Sequence, residues 1–253
     1  MKLYHIGFRK EDLGDNLPHI VLLSGEPERS HYIATTYCQD VQLLSKYRGL
    51  NSYLGYLPNG KSLLVATSGM GAPSLSIVVN ELVQLDIKKI IRIGTCGSIQ
   101  PQIEVGSIVI SQGALCRQGA ALDIAPVEYP AVADPFLTVA LVESARRLNI
   151  PYHLGITASV DTFFEGQERI DSSANPYLQP WLTGITETYR RLNILNYEME
   201  AGTLFKMAGV YGFAAACVCG VVAQRNASEN IILADKDLAV TRAIEVVIQS
   251  IDC

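Results

Sequence analysis

Short unbroken aliphatic runs alternate along this chain with stretches in which apolar residues return every three or four positions. The runs predict buried strands at 19–25 (HIVLLSG), 61–69 (KSLLVATSG), 88–94 (KKIIRIG), 106–113 (GSIVISQG), 152–160 (YHLGITASV), 194–200 (ILNYEME) and 213–223 (FAAACVCGVVA). The helical spacing predicts helices over 73–86, which opens on a proline, over 135–149, over 201–209 and over 235–251. Strands alternating with helices imply an α/β protein with a mixed, largely parallel central β-sheet flanked by helices. The chain shows no internal repeat, low-complexity tract or Pro/Gly/Ser linker, so one domain over 1–253 is expected. In such sheets ligands gather beyond the carboxyl ends of the strands, which directs attention to the polar residues just after each run.

Composition narrows the partners. Of 253 residues, 49% are hydrophobic and 18% charged, enough for a large core. A net charge of −5 argues against a broad nucleic-acid or anionic-membrane surface. No apolar run approaches the roughly 20 residues of a membrane span, and the opening MKLYHIGFRKEDLGDN has no signal-peptide core. Cys38, Cys96, Cys116, Cys217, Cys219 and Cys253 are scattered through apolar sequence without a second pair to complete a zinc site. The expectation is a reduced, cytoplasmic protein without a metal or organic cofactor.

Several loops carry candidate chemistry, each with a plainer alternative. In NYEMEA (196–201), Glu198 and Glu200 fall where a strand hands over to a helix. In an extended segment they share one face, where two carboxylates repel and require partners. In SGEPER (24–29), Gly25 lets backbone amides approach an anion and Arg29 supplies a fork, or the stretch is an ordinary turn with a solvated arginine. In IRIGTCGS (91–98), Arg92 lies inside an apolar strand with Thr95 and Gly97 at its end. That is either an oxyanion cradle or a structural ion pair. TSGMGAPS (67–74) offers G-x-G before a helix, but Ser74 and the lack of a later acidic residue count against a dinucleotide fingerprint. DTFFEGQER (161–169) offers Phe163 to stack on a flat ring, with Gln167 and Arg169 to bond its edge, or its aromatics simply tuck into the core. His5, between apolar residues, suits a core or interface position better than catalysis. No G-x-S-x-G, H-E-x-x-H, Walker or kinase motif occurs. Arginines at strand ends, an aromatic–amide–guanidinium loop and paired carboxylates together suit one kind of ligand pair, a nucleoside and phosphate.

TSGMGAPSLSIVVNEL (67–82) resembles the signature of the nucleoside phosphorylases that include hexameric uridine phosphorylases and bacterial purine nucleoside phosphorylases. HIGFRKEDL, GEPER, RIGTCGSIQP, APVEYPAVAD, DTFFEGQER and NYEME resemble the uridine-specific branch, in its order, from residue 5 to about 225. The resemblance implies reversible phosphorolysis of uridine, a pentosyl transfer giving uracil and ribose 1-phosphate, with phosphate as co-substrate. It assigns Gly25, Arg29, Arg92 and Thr95 to phosphate, with Arg48 contributed by a neighbouring subunit. It assigns Glu198, Met199 and Glu200 to ribose, with His5 reaching across the dimer interface. Cys96, Gly97, Phe163, Gln167, Arg169 and Arg225 then surround the base, and Arg92, Glu200, Gln167 and Arg169 carry the catalysis. Glu200 is expected to accept from the sugar hydroxyls, and Glu198 to be compensated by local donors such as Arg92. Such sharing implies a homo-oligomer, at least a dimer and by resemblance a hexamer.

Departures from that pattern are specific. GVVAQRN lacks the aspartate that purine-specific relatives use to protonate the base, which favours pyrimidines. Cys96 stands where threonine is frequent, Gly49 where some relatives place a potassium-binding glutamate, and 226–237 is unlike the usual lid. The competing readings are a purine or broad-specificity phosphorylase, a hydrolytic nucleosidase and an inactive nucleoside-binding protein.

Overall fold

A computed structural model of the chain describes residues 2–15, 17–225 and 233–252. The strands are β1 (Ile20–Ser24), β2 (Gln39–Ser45), β3 (Ser52–Tyr56), β4 (Ser62–Thr67), β5 (Lys89–Ser98), β6 (Ile108–Arg117), β7 (Tyr152–Val160), β8 (Ile194–Glu198) and β9 (Ala214–Gln224). The helices are α1 (Pro27–Tyr37), α2 (Ala72–Gln84), α3 (Gly119–Leu122), α4 (Pro135–Arg147), α5 (Ile185–Arg191), α6 (Ala201–Tyr211) and α7 (Leu233–Asp252). Their order in the sheet is β2-β3-β4-β1-β5-β8-β7-β6-β9, and β9 also pairs with β5. Strands β5, β8, β7, β6 and β9 therefore close a ring, from which β1, β4, β3 and β2 extend as an open wing.

The sheet is mixed, as its sequence pattern implies. β1 runs parallel to β4 and β5, β5 to β9, and β7 to β6 and β8. The β2–β3, β3–β4, β5–β8 and β6–β9 pairs are antiparallel. Alternation along buried strands sorts the core onto two faces. Val21 and Leu23 of β1, with Cys217 and Cys219 of β9, pack with Leu75, Val78 and Leu82 of α2 and Leu204 and Phe205 of α6. Leu22, Ile91, Ile93 and Val218 face the other way, against Ile33, Leu141, Ala145, Ile244 and Val247 from α1, α4 and α7. Each fully buried side chain of this size stabilises the fold by about 1.5–3 kcal/mol.

Three differences from the sequence reading matter for the site. Helix α1 starts at Pro27, so the residues after β1 form a helix N-terminus rather than a simple turn. Strand β5 does not stop at Gly94 but continues to Ser98, because β9 pairs with it along its whole length. Strand β8 ends at Glu198, and Glu200 (φ −144°, ψ −29°) already caps α6. The carboxylates of Glu198 and Glu200 therefore do not share one face of an extended strand.

Candidate active site

The site lies where one strand changes neighbour. On one edge, β5 pairs with β1 as far as Ile93 and with β8 from Gly97 onwards. Between them, Gly94, Thr95 and Cys96 have no ladder partner on that edge, and the strand ends diverge around a cavity of about 430 Å³. A volume of that order suits a small organic ligand.

Gly25, Arg29, Arg92 and Thr95 line one end of the cavity. Arg29, on the first turn of α1, is buried; it donates through Nη1 to the Ile93 carbonyl (3.2 Å) and through Nη2 to Glu26 (2.7 Å). Burial pulls its pKa down, Glu26 opposes that, and the neighbouring charge of Arg92 adds to it. The Arg92 side chain folds back over Gly94, where a Cβ would stand 1.9 Å from its Nη1. Its Nη2 donates to Glu200 Oε2, while Nη1 faces the sulfurs of Cys219 (3.5 Å) and Cys217 (3.9 Å). Its buried Nε has no partner among the described residues. Burial works against this charge, but Glu200, the cysteines and Glu198 together hold Arg92 firmly protonated. Thiols are weak acceptors, so a guanidinium with one carboxylate bond retains a strong demand for an anion.

Glu198, Met199 and Glu200 form the middle of the cavity. Glu198 is held from several directions. Its Oε1 accepts from the Ser159 hydroxyl, and Oε2 accepts the amides of Glu200 (2.9 Å) and Ala201 (2.8 Å). Arg92 pairs with Glu198 at 3.8 Å, as expected, but its closer partner is Glu200, and Ser159 and the two backbone amides join Arg92 in compensating Glu198. Burial, reinforced by the charge of Glu200 and resisted by Arg92 and Ser159, raises the Glu198 pKa to about 7. Glu200 accepts a second bond, 2.7 Å from the amide of Gly71. The glycine turn before α2, with φ +71° at Gly69 and +84° at Gly71, thus brings an amide to the second carboxylate. Gln118, just after β6, donates to the Met199 carbonyl and accepts from the amide and hydroxyl of Thr203 (2.8 Å each), fixing the entry to α6.

Cys96, Gly97, Phe163, Gln167 and Arg169 line the same cavity. Gln167 and Arg169 are buried, Arg169 Nε lies 3.3 Å from Gln167 Oε1, and the Arg169 guanidinium stacks 4.1 Å from the Phe163 ring centroid. Burial keeps the Cys96 thiol well above its usual pKa, so it stands at this wall as a neutral side chain.

Three residues singled out from the sequence stand apart from the cavity lining. Arg225 donates to the carbonyls of Gln167 (2.7 Å) and Glu168 (3.2 Å), holding the backbone of the loop. His5 Nδ1 pairs with Glu81 of α2 at 2.7 Å, and Glu81 also accepts the amides of His5 (3.1 Å) and Ile6 (2.8 Å). Arg48, with φ +56°, is exposed and lies over the Tyr4 and Tyr47 rings, 5.2 and 5.4 Å from their centroids. The Tyr4 and His5 rings pack edge to face at 4.9 Å, so His5 and Arg48 occupy one surface cluster. Sequence reasoning missed Glu26, Gln118, Ser159 and Tyr197 at the site. Gln118 and Ser159 follow or end buried strands, the position where polar residues signal function. Lys236 of α7 also lines the cavity. The remainder of the divergent 226–237 segment lies mostly outside the described residues.

Among the described residues, no group of three or more His, Cys, Asp or Glu is placed to hold a metal ion. No helix there is long and apolar enough to cross a membrane. Residues 19–252 match the family model described as the phosphorylase superfamily. The chain is 40% identical over 227 residues to a uridine phosphorylase of Salmonella typhimurium, covering 90% of this chain and 88% of the relative. It is 37% identical over 226 residues to a uridine phosphorylase of Thermococcus kodakarensis, covering 89% and 79%. It is 31% identical over 240 residues to a DeoD-type purine nucleoside phosphorylase of Oceanobacillus iheyensis, covering 94% and 92%.

Proposed function

The chain belongs to the phosphorylase superfamily, and from that premise we propose that it catalyses the reversible phosphorolysis of uridine to uracil and ribose 1-phosphate. The observation that carries this reading is the buried guanidinium of Arg92, its Nε without a partner among the described residues, lining with Arg29 the same cavity as Gln167 and Arg169. A hydrolase has no use for such an anion clamp.

Phosphate sits between Arg29, Arg92 and Thr95, over the amide at Gly25, and its oxygen attacks C1′ of the ribose. Glu200 accepts the sugar hydroxyls, with Met199 against the ring, and the N1–C1′ bond breaks as the new C1′–O bond forms. Positive charge builds on the sugar, facing the bound phosphate. Negative charge builds on the uracil, facing Gln167 and Arg169, and the released uracil anion takes a proton from water. Donors aimed at charge that exists only in the transition state lower the barrier most efficiently. Phe163 stacks on the base, and Gly97 and Cys96 form its wall. The reaction, so drawn, uses no metal and no organic cofactor.

The active protein is a homo-oligomer in which His5 and Arg48 complete the cavity of a neighbouring copy, His5 at the ribose and Arg48 at the phosphate. Supporting this, both lie in one cluster outside their own cavity. The resemblance favours a hexamer working in the cytoplasm, and the five described cysteines, all free thiols, suit a reducing compartment.

The test is base release followed by ultraviolet absorbance, from uridine and from inosine, each with and without phosphate. Phosphate-dependent release of uracil with little hypoxanthine is expected. Release without phosphate would make the protein a nucleosidase, and a preference for inosine would overturn the reading of Gln167 and Arg169.

A further inference from the structure

The loop after β7 places three consecutive residues in different roles. Gln167 and Arg169 are each 3% exposed and line the cavity. Glu168, between them, lies outside the lining and has φ +52°, a backbone region that residues other than glycine seldom adopt. Such a conformation persists only where surrounding contacts hold it. Here they are visible. Glu168 Oε1 accepts the amide of Gly184 and Oε2 accepts the amide of Thr186 (2.9 Å), both at the start of α5. The loop also closes on itself through the Glu168 amide to the Glu165 carbonyl (3.0 Å) and the Arg169 amide to the Phe164 carbonyl (2.8 Å). From the opposite side, Arg225 grips the carbonyls of Gln167 and Glu168.

Helix α5 is itself tied to the ribose-bearing strand. The Thr186 hydroxyl is 3.0 Å from the Tyr197 hydroxyl on β8, one residue before Glu198, and Tyr197 is among the residues that line the cavity. A continuous set of hydrogen bonds therefore runs from Glu168 through Thr186 to Tyr197.

We propose that Glu168 is a positioning residue for base recognition: its carboxylate clamps the loop to α5 and so fixes the Gln167 amide and Arg169 guanidinium relative to Glu198, Met199 and Glu200. The inference rests on the assignment of Gln167 and Arg169 to the base, proposed above. Glu168 touches no substrate. Its effect is to hold two donors at the distance from the sugar that a pyrimidine ring requires, and small displacements of such donors are costly to catalysis.

The experiment compares Glu168→Ala, Glu168→Gln and Gln167→Ala with the unaltered protein, measuring kcat and the KM of uridine and of phosphate separately. Glu168→Ala should raise the uridine KM about tenfold and lower the preference for uridine over inosine. The phosphate KM, set by Arg29, Arg92 and Thr95, should stay within about twofold. Glu168→Gln keeps one acceptor oxygen and should fall between, and it serves if the alanine variant does not fold. Uridine and phosphate KM rising together, with a matching loss of thermal stability, would make Glu168 a general scaffold residue and overturn the proposal. So would an unchanged uridine KM in Glu168→Ala alongside an impaired Gln167→Ala. An unchanged Gln167→Ala would refute the base assignment itself, and the role of Glu168 with it.

Discussion

Adding a single methyl group at Gly94 should disable the proposed phosphate site without removing any functional group. Gly94 has no left-handed backbone to be strained, so alanine fits the strand itself. The new Cβ, however, would stand 1.9 Å from Nη1 and 2.8 Å from Cζ of Arg92. No real contact is that short, so the guanidinium must swing away. Its charge-assisted bond to Glu200 is then lost, and two buried carboxylates lose their cation. Breaking a buried pair costs about 3–5 kcal/mol, which in a chain of this length corresponds to about 10 °C in melting temperature. Misplacing a group that positions the attacking phosphate costs about 10²-fold in rate. The assay is uracil release across a phosphate titration, alongside thermal melts, for Gly94→Ala, Arg92→Ala and the double variant. If Gly94 acts through Arg92, the double variant should be no worse than Arg92→Ala. Losses that add in the double variant, or a Gly94→Ala protein with unaltered phosphate dependence, would refute the reasoning.

Other expectations are more local. Glu198 has a folded-state pKa raised by burial from the usual 4.5 to about 7, so the native state holds its proton more tightly than the unfolded chain. That stabilising contribution is complete below the unfolded pKa and is lost as pH rises through about 7. In Glu198→Gln, melting temperature measured between pH 5 and 8 should therefore lose the decline that the unaltered protein shows, and parallel curves would contradict this. Glu81 shows the opposite sign. Although burial raises its pKa, the amides of Ile6 and His5 and the imidazole of His5 outweigh burial and hold it below 4.5. Its contribution is present above that value and is lost as pH falls through the lowered one. Glu81→Gln should flatten the acid limb of the stability profile, read by circular dichroism. Arg48→Ala, in a protein shown by light scattering to remain oligomeric, should raise the phosphate KM about tenfold or more. An unchanged phosphate KM would end the shared-site reading.

The parts of the fold that were legible in the sequence are those whose burial is local. YHLGITASV becomes β7 with the predicted limits, Tyr152–Val160, and α2 and α4 lie within one or two residues of their apolar spacing. Strands β2 and β3 escaped notice because QDVQLLS is largely exposed and SYLGY is short and interrupted by glycine. Helix α1 escaped because PERSHYIATTY is mostly polar, although Pro27 at its first position was a usable signal. In the candidate site, residue types and spacing pointed to loops that meet at one cavity, since buried arginines and paired carboxylates are costly and conspicuous. Which arginine met which carboxylate was not legible. That Arg92 lies closer to Glu200 than to Glu198 goes with β8 stopping at Glu198 and with the amides of Glu200 and Ala201 turning to Glu198, a tertiary outcome with no local signature. The ring formed by β5, β8, β7, β6 and β9 was equally hidden, because each pairing joins distant segments.

That ring has a consequence for the order in which the protein acquires its working state. The residues of one chain proposed for phosphate, Gly25, Arg29, Arg92 and Thr95, come with β1, α1 and β5, all within the first hundred residues, whereas Glu200 reaches Arg92 only after β8 has docked against β5. Contacts between segments so far apart carry a large loop-closure cost and form late. Refolding from denaturant should therefore restore far-ultraviolet ellipticity first, with catalysis returning in a slower step as the last strands join the ring.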